Sequence, residues 1–536
     1  MPTRICSILA CFLFVTCLSA VAVNAGPSAP PAAQVNFVVD GRVPWNVSGG
    51  DDMARLRDLL SGVGIGGYEI TDWQTKLIKE LGIERVQIIN AFNNSASRVD
   101  GKLEYDWSMA RGIALDVIKS GAEPKFVIAS SMPRALSSRP DDAHYMSYPP
   151  ADWGEYEDFI YQAVRYFNVT LAYLGCKAIY WEVQNEPDGT TYWFPEERAG
   201  SKVRYDNLLT LYRHTVKAVE KYEKDFPNAP RVKIGGARFT GLTYRPEYSE
   251  FVWLERFLKD CRDTKTRVDW VSFHFYGAAA SYDGHSNWSP VPSLKSQIAN
   301  AKRWIKQYSP KTELHITEWG AHEENHTGSR GIVNANHCCA SFAAAAIKTM
   351  VEGGVDRAFF LSMMDRVNPL SSGLERNVWE MEALCTVDGC PKAIYNAFRA
   401  FRKMAPNRVA VDGADRDVDV LASRDADRIT VLVWNTNLFG PDAATASAKS
   451  AAIEVRGLPN WKNVTCRRYL IDETHSDAYY YRNDPAQMWA HSVLEEIEPI
   501  RFAAGDAAFS DGALRLPAQE LKPESLMLLE ITGESR

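Results

Sequence analysis

Tyr180-Trp181-Glu182-Val183-Gln184-Asn185-Glu186-Pro187 is a short β-rich run that closes on a glutamate and a proline. A second run of the same kind is Leu314-His315-Ile316-Thr317-Glu318-Trp319-Gly320. Around them, from about residue 60 to 405, strand-like runs alternate with longer segments whose apolar residues recur at three-four spacing. The strand-like runs are Val63–Gly66, Arg85–Ile89, Lys125–Ala129, Ala178–Val183, Val232–Gly235, Trp270–Phe275, Glu313–Thr317 and Ala358–Ser362; Trp73–Leu81 and Leu208–Val216 show the helical spacing. Eight strands, each followed by a helix, predict an α/β fold, a (β/α)8 TIM barrel over residues 60–407 with long loop insertions. The rival, a doubly wound open sheet, lacks support because no Gly-rich dinucleotide or phosphate fingerprint follows any strand.

Beyond residue 408 the pattern changes. Val418–Ser423, Arg428–Trp434, Ala452–Val455 and Ser525–Ile531 read as strands separated by Asp/Gly/Pro turns, without a convincing helix between them. Residues 408–536 are therefore expected to form a C-terminal β-sandwich domain. The early strand Val35–Val39 has no helix after it, so residues 26–59 are assigned to a linker and a strand packing on that sandwich.

The chain has 536 residues, 67 acidic against 60 basic, and a formal charge of −7. Hydrophobic residues make up 46% and charged residues 24%, which excludes disorder and coiled coil and leaves room for two or three domains. The mild negative charge excludes the basic field a nucleic-acid protein presents to phosphate. Aromatics are in surplus at 11%.

Arg4 precedes an apolar run from Ile5 to Val23, and Val23-Asn24-Ala25 has the form of a signal-peptidase site, so residues 1–25 are expected to be a signal peptide and the protein secreted. No other stretch approaches the ~18 apolar residues of a membrane span. Six Asn-x-Ser/Thr sequons, at Asn46, Asn93, Asn168, Asn287, Asn325 and Asn463, fit the same route. Loss of the signal leaves Cys176, Cys261, Cys338, Cys339, Cys385, Cys390 and Cys466, an odd number. Cys385 and Cys390 flank a turn and are the preferred disulfide.

In a barrel, chemistry sits at the C-terminal ends of the strands. Glu186 and Glu318 close the fourth and seventh strands by count, so the barrel would bring them across one pocket. Glycoside hydrolysis needs such a pair: an acid to protonate the leaving oxygen, and a carboxylate to attack the anomeric carbon or activate water. His322-Glu323-Glu324-Asn325-His326 matches the zinc-protease pattern, but it follows a strand end and carries a sequon, so it is set aside. No Gly-x-Ser-x-Gly elbow suggests a serine hydrolase. The alternative from another class is a non-catalytic carbohydrate-binding protein on the same scaffold, which would have no need of both glutamates.

With these motifs the sequence resembles the retaining glycoside hydrolases of clan A, and among them family 39, the β-xylosidase and α-L-iduronidase group. Ser131–Leu136 is similar to that family's Met-Pro loop, Glu182–Pro187 to its acid/base strand, and His315–Glu318 to its nucleophile strand. Pro391-Lys392-Ala393 opening the last helix and a β-sandwich after the barrel are also similar. The resemblance implies a retaining glycosidase of β-glycosides, with Glu186 as acid/base and Glu318 as nucleophile. It implies that Asn185 hydrogen-bonds the sugar 2-hydroxyl and that His274 and Tyr276 hold Glu318 and the substrate. Trp319, Asn90, Trp193 and Asp365 are further candidate substrate contacts, and Trp193, with Trp288, is expected in loops on the substrate face. The partner is an oligo- or polysaccharide, and no cofactor or metal is expected. Gln184 stands where the family usually has Trp, and Asn90 where it has a histidine. These departures leave the sugar open.

Overall fold

The computed structural model describes residues 32–45, 56, 59, 62–65, 70–128, 132–189, 201–242, 251–280, 286–288, 291–321, 333–365, 379, 382–436, 447–503, 505–510 and 512–535. The expected signal peptide, Trp193 and the His322–His326 motif lie outside these residues.

Eight parallel strands form the barrel: Gly62–Ile65, Arg85–Ile88, Glu123–Val127, Ile179–Glu182, Val232–Gly235, Trp270–Tyr276, Glu313–Gly320 and Arg357–Ala358, hydrogen-bonded in chain order. The first and last strands close the ring through Gly64 N–H to Phe360 C=O at 2.9 Å and Phe360 N–H to Gly62 C=O at 3.2 Å. The chains approach so closely there that a Cβ at position 62 or 64 would run into the carbonyl oxygens of Ala358 and Leu361. A helix follows each strand; the first, Asp72–Leu81, begins at a capping box made by Thr71 and Gln74 and ends at Gly82 in the left-handed region. The fold is therefore a (β/α)8 barrel.

The second domain is one large sheet that closes over its own apolar face as a β-sandwich. Its strand order begins Glu495–Phe502, Trp461–Ile471, Ser525–Ser535, Arg428–Asn435, Val418–Arg424, Asn407–Asp412. It continues through the N-terminal strand Ala33–Pro44 to Lys449–Arg456. Ala33–Pro44 runs antiparallel to Asn407–Asp412 and parallel to Lys449–Arg456, so the chain's beginning is stitched into its last domain.

Several of these strands are buried on both faces. Ile429, Val431 and Val433 point into the sandwich core, whereas Leu432 and Trp434 belong to the core of the barrel. Leu528 and Leu529 divide in the same way. This explains the unbroken apolar run Ile429–Trp434, since a strand covered on both sides need not alternate. The covering elements on the barrel side are helices His337–Glu352 and Ala393–Lys403.

Two expectations are corrected. All seven cysteines of the described residues are buried free thiols, including Cys385 and Cys390. Hydrogen bonds close that turn instead of a disulfide: Thr386 N–H donates to Cys390 C=O at 2.9 Å, and Cys390 N–H to Thr386 Oγ1 at 3.0 Å. The Asn168 sequon is inaccessible, because the side chain is fully buried and donates to Tyr222 Oη at 2.8 Å and Pro230 C=O at 2.6 Å. Asn463, by contrast, is exposed. No helix of the described residues is long and apolar enough to cross a membrane.

Candidate active site

The barrel strands end in a compact polar cluster. Strand alternation would turn Glu318 to the same side as Leu314 and Ile316, which face the helices. A β-bulge prevents this. Ile316 pairs with Phe273, but Glu318 pairs with His274, leaving Thr317 as the extra residue. The bulge shifts the phase by one, so Glu318 joins His274 on the inner face while Trp319 pairs with Phe275 on the outer one.

The end of strand five is also irregular. Gly235 pairs with Trp270, and the next bridge joins Phe239 to Phe273, four residues along one strand against three along the other. Arg238 lies in that stretch, fully buried, with a φ of 54°. Glu186, just beyond strand four, has a φ of 46° and donates its N–H to Arg238 C=O at 2.9 Å. Two non-glycine residues in the left-handed region, bonded to each other, mark a backbone held by its surroundings.

The side chains converge. His274 Nδ1 lies 2.8 Å from Glu186 Oε1 and 3.4 Å from Glu318 Oε2. Arg238 Nε donates to His274 Nε2 at 3.3 Å, so the ring proton sits on Nδ1 and is directed at Glu186. Arg238 Nη2 donates to Glu318 Oε1, and Tyr276 Oη donates to Glu318 Oε2 at 3.1 Å. One ligand atom from each of Glu186, His274 and Glu318 lies within 4.8 Å of the others. These residue types could hold a cation, but Nδ1 carries a proton and Arg238 already supplies the positive charge. The donor set is that of two differently poised carboxylates.

Burial pushes the Glu186 carboxyl up to about 7, against a downward pull from Arg238. His274 is held well below the usual imidazole range, by burial first and then by the Arg238 cation, so it stays neutral. Two donors, one of them a guanidinium, sit on Glu318, an arrangement that favours a carboxylate anion. Asp188, next along the loop from Glu186, is also raised to about 7 by burial. It accepts from Thr240 N–H at 3.0 Å and Thr240 Oγ1 at 2.9 Å, pinning the strand-four loop to the strand-five loop.

The other sequence candidates divide. Asn185 is half-buried, with an Oδ1 that is shielded from solvent and has no partner among the described residues. Asn90 ends strand two, half-buried, with a φ of 62°. Trp319 does not floor the pocket: it is fully buried on the outer side, 5.1 Å edge-on to Phe360 and stacked on Phe398. Asp365 is not available to a substrate either, since its carboxylate is fully buried 2.7 Å from Lys392 Nζ. Trp288 ends a hairpin strand, Ser286–Trp288 paired with Ala278–Ala280, not an open loop.

Arg238 was missed by sequence reasoning. The available signal was a lone cation between Gly235-Gly236-Ala237 and Phe239 just after a strand. A second missed group is Lys125, on strand three directly before the apolar segment Phe126–Ile128.

Comparison with known proteins agrees with the barrel. The sequence profile of the Glycosyl hydrolases family 39 matches residues 67–491. A β-xylosidase of Geobacillus stearothermophilus is 23% identical over 399 residues, 71% of either chain. The structure is similar to a family 39 enzyme of Xanthomonas axonopodis pv. citri, with a TM-score of 0.71, 18% identity, and coverage of 94% of this chain and 98% of that one. It is also similar to a monomeric β-xylosidase of Caulobacter crescentus, with a TM-score of 0.70, 17% identity, and coverage of 94% and 100%. The chain thus belongs to glycoside hydrolase family 39, and it is a glycosidase.

Proposed function

We propose that the protein is a secreted, retaining glycosidase of β-glycosides, with Glu186 as acid/base and Glu318 as nucleophile. The observation that carries this reading is the carboxylate spacing. One oxygen of Glu186 and one of Glu318 lie within 4.8 Å, close to the ~5–5.5 Å carboxyl separation of a double displacement and short of the ~6.5–9.5 Å that leaves room for an attacking water.

The electrostatics support the same division of labour. Glu186, raised to about 7, keeps a proton to give the leaving oxygen, while Glu318 attacks the anomeric carbon and forms a glycosyl ester. The leaving group departs with that proton. Glu186, now a carboxylate, takes a proton from water as the water attacks the anomeric carbon and frees Glu318. Two inversions return the original anomeric configuration. Asn185, with its unpartnered Oδ1, is suited to accept from a sugar hydroxyl. Similarity to β-xylosidases supports a neutral β-linked sugar as substrate. The N-terminal apolar run supports secretion.

A mechanism-based fluoroglycoside followed by peptide mapping is expected to leave its adduct on Glu318, and product analysis by NMR to give the retained anomer. An adduct on another residue, or an inverted product, would overturn the assignment.

A further inference from the structure

Beneath the two catalytic carboxylates lies a buried set of charges that substrate does not reach. Lys125, in strand three, and Glu182, in strand four, are both completely inaccessible, and Lys125 Nζ lies 2.8 Å from Glu182 Oε2. The ammonium is completed by Gln87 Oε1 at 2.6 Å and by the faces of Trp270 and Phe359, 4.5 and 4.3 Å from their centroids. Gln87 in turn donates to the C=O of Thr317, the bulge residue that aims Glu318, at 3.1 Å. Glu182 Oε1 accepts from Ser272 Oγ at 2.7 Å, and Ser272 Oγ accepts from Arg238 N–H at 2.9 Å. Glu182 Oε2 also lies 3.6 Å from Arg238 Nη1. Glu182 therefore holds both ends of Arg238, its backbone through Ser272 and its guanidinium directly.

We propose that Glu182, neutralised by Lys125, is a positioning residue that seats Arg238 between Glu318 and His274 and so fixes which catalytic carboxylate keeps the proton, a role that rests on Glu186 and Glu318 being the catalytic pair. The charges of the cluster support it. With Glu186 protonated and His274 neutral, the cations Lys125 and Arg238 balance the anions Glu182 and Glu318; around them Asp188, raised to about 7 by burial, titrates beside Glu186, and the Arg85 cation faces Lys125. A buried site in such balance shifts when one member is removed, because low dielectric leaves the remaining charges poorly screened. Lys125 is pushed down to about 7 by burial against the pull of Glu182, so its charge is present on the acid side of neutrality, where Glu186 must hold its proton. Glu182→Gln takes the anion from beside Arg238 and, with it, the pull that keeps Lys125 protonated, so the guanidinium is left as the cation of the cluster and favours Glu186 as an anion. Lys125→Met leaves it more negative and favours Glu186 as an acid.

The test is the pH profile of kcat/KM on an aryl β-xyloside for Glu182→Gln, Lys125→Met and the double variant. The alkaline limb reports the free-enzyme acid. It should move to lower pH by at least about 0.5 unit in Glu182→Gln and to higher pH by a similar amount in Lys125→Met. In the double variant it should lie with that of Glu182→Gln, because Lys125 does not keep its charge once Glu182 is gone. Loss of the seat for Arg238 should lower kcat by about 10–100-fold in Glu182→Gln, with KM changing far less. Limbs that stay in place, or move in the same direction in both single variants, overturn the proposal. If a single variant does not fold, the double variant decides alone: the seat is refuted if its kcat stays within about twofold of wild type. Fluoroglycoside labelling of the wild type separates the two readings. An adduct on Glu318 with unmoved limbs defeats only the positioning role, and an adduct elsewhere defeats the catalytic assignment itself.

Discussion

Replacing Glu186 by Gln should make the protein less active and, above neutrality, more stable. Burial raises the Glu186 carboxyl from 4.5 to about 7 in the folded protein, whereas in the unfolded chain it returns to its ordinary value. A carboxyl raised in this way binds its proton more tightly when folded. Its contribution to stability is complete below about pH 4.5 and is lost as the pH rises through about 7. At about 1.4 kcal/mol per unit, the shift amounts to about 3 kcal/mol withdrawn by pH 8. Glutamine keeps an acceptor for His274 Nδ1, now 2.8 Å from Glu186 Oε1, and brings no charge to bury. Glu186→Gln should therefore match the wild type at pH 5 to within about 1 kcal/mol and exceed it by about 2–3 kcal/mol at pH 8. Denaturant unfolding at the two pH values, followed by tryptophan fluorescence, measures the difference. Hydrolysis of an aryl glycoside with a poor leaving group should fall by about 10²-fold or more, since the acid is gone. An equal gain at both pH values, or none at pH 8, would refute the reasoning, because the effect must come from the charge.

Other outcomes are expected elsewhere. Arg238→Lys should lower kcat by about 10²-fold, about 2.7 kcal/mol, because a single ammonium cannot serve Glu318 and His274 together as the guanidinium fork does; steady-state kinetics giving less than a threefold loss would contradict this. Asp365→Ala should cost about 3–5 kcal/mol in unfolding experiments by stranding the buried Lys392, while activity per folded molecule stays within about twofold; unchanged stability would show that the pair is not as buried as described. In a glycosylating host, glycopeptide mapping should find Asn463 modified and Asn168 bare, because Asn168 is packed and its amide is committed to Tyr222 and Pro230; a glycan on Asn168 would contradict that packing.

Much of the fold was legible because its signals are local. Period-3.6 and strand-like runs in strict alternation can satisfy their buried faces in few ways, and a closed parallel barrel is one of them. The two strand-end glutamates were legible for the same reason: once strands are counted, their ends are known. What misled was the treatment of neighbours. Trp319 adjoins Glu318 in sequence, yet adjacent residues of a strand face opposite sides, and this ring packs on Phe360 and Phe398 among the helices. Asp365 looked available for binding, but an ion pair with Lys392 buries it.

By itself the sequence determined the barrel, the sandwich that follows it, and the pair of glutamates at the ends of strands four and seven. Tertiary structure alone decided how those glutamates are aimed and charged. The Thr317 bulge turns Glu318 inward, a choice made by pairing with the neighbouring strand and not by alternation within its own. Arg238 reaches Glu318 and His274 from a different strand, over a backbone held by Ser272 and Glu186, and such contacts join residues too distant in the chain for any periodicity to register. Burial, which raises Glu186 and keeps His274 neutral, is a property of the assembled site, because it depends on what every other strand places around them.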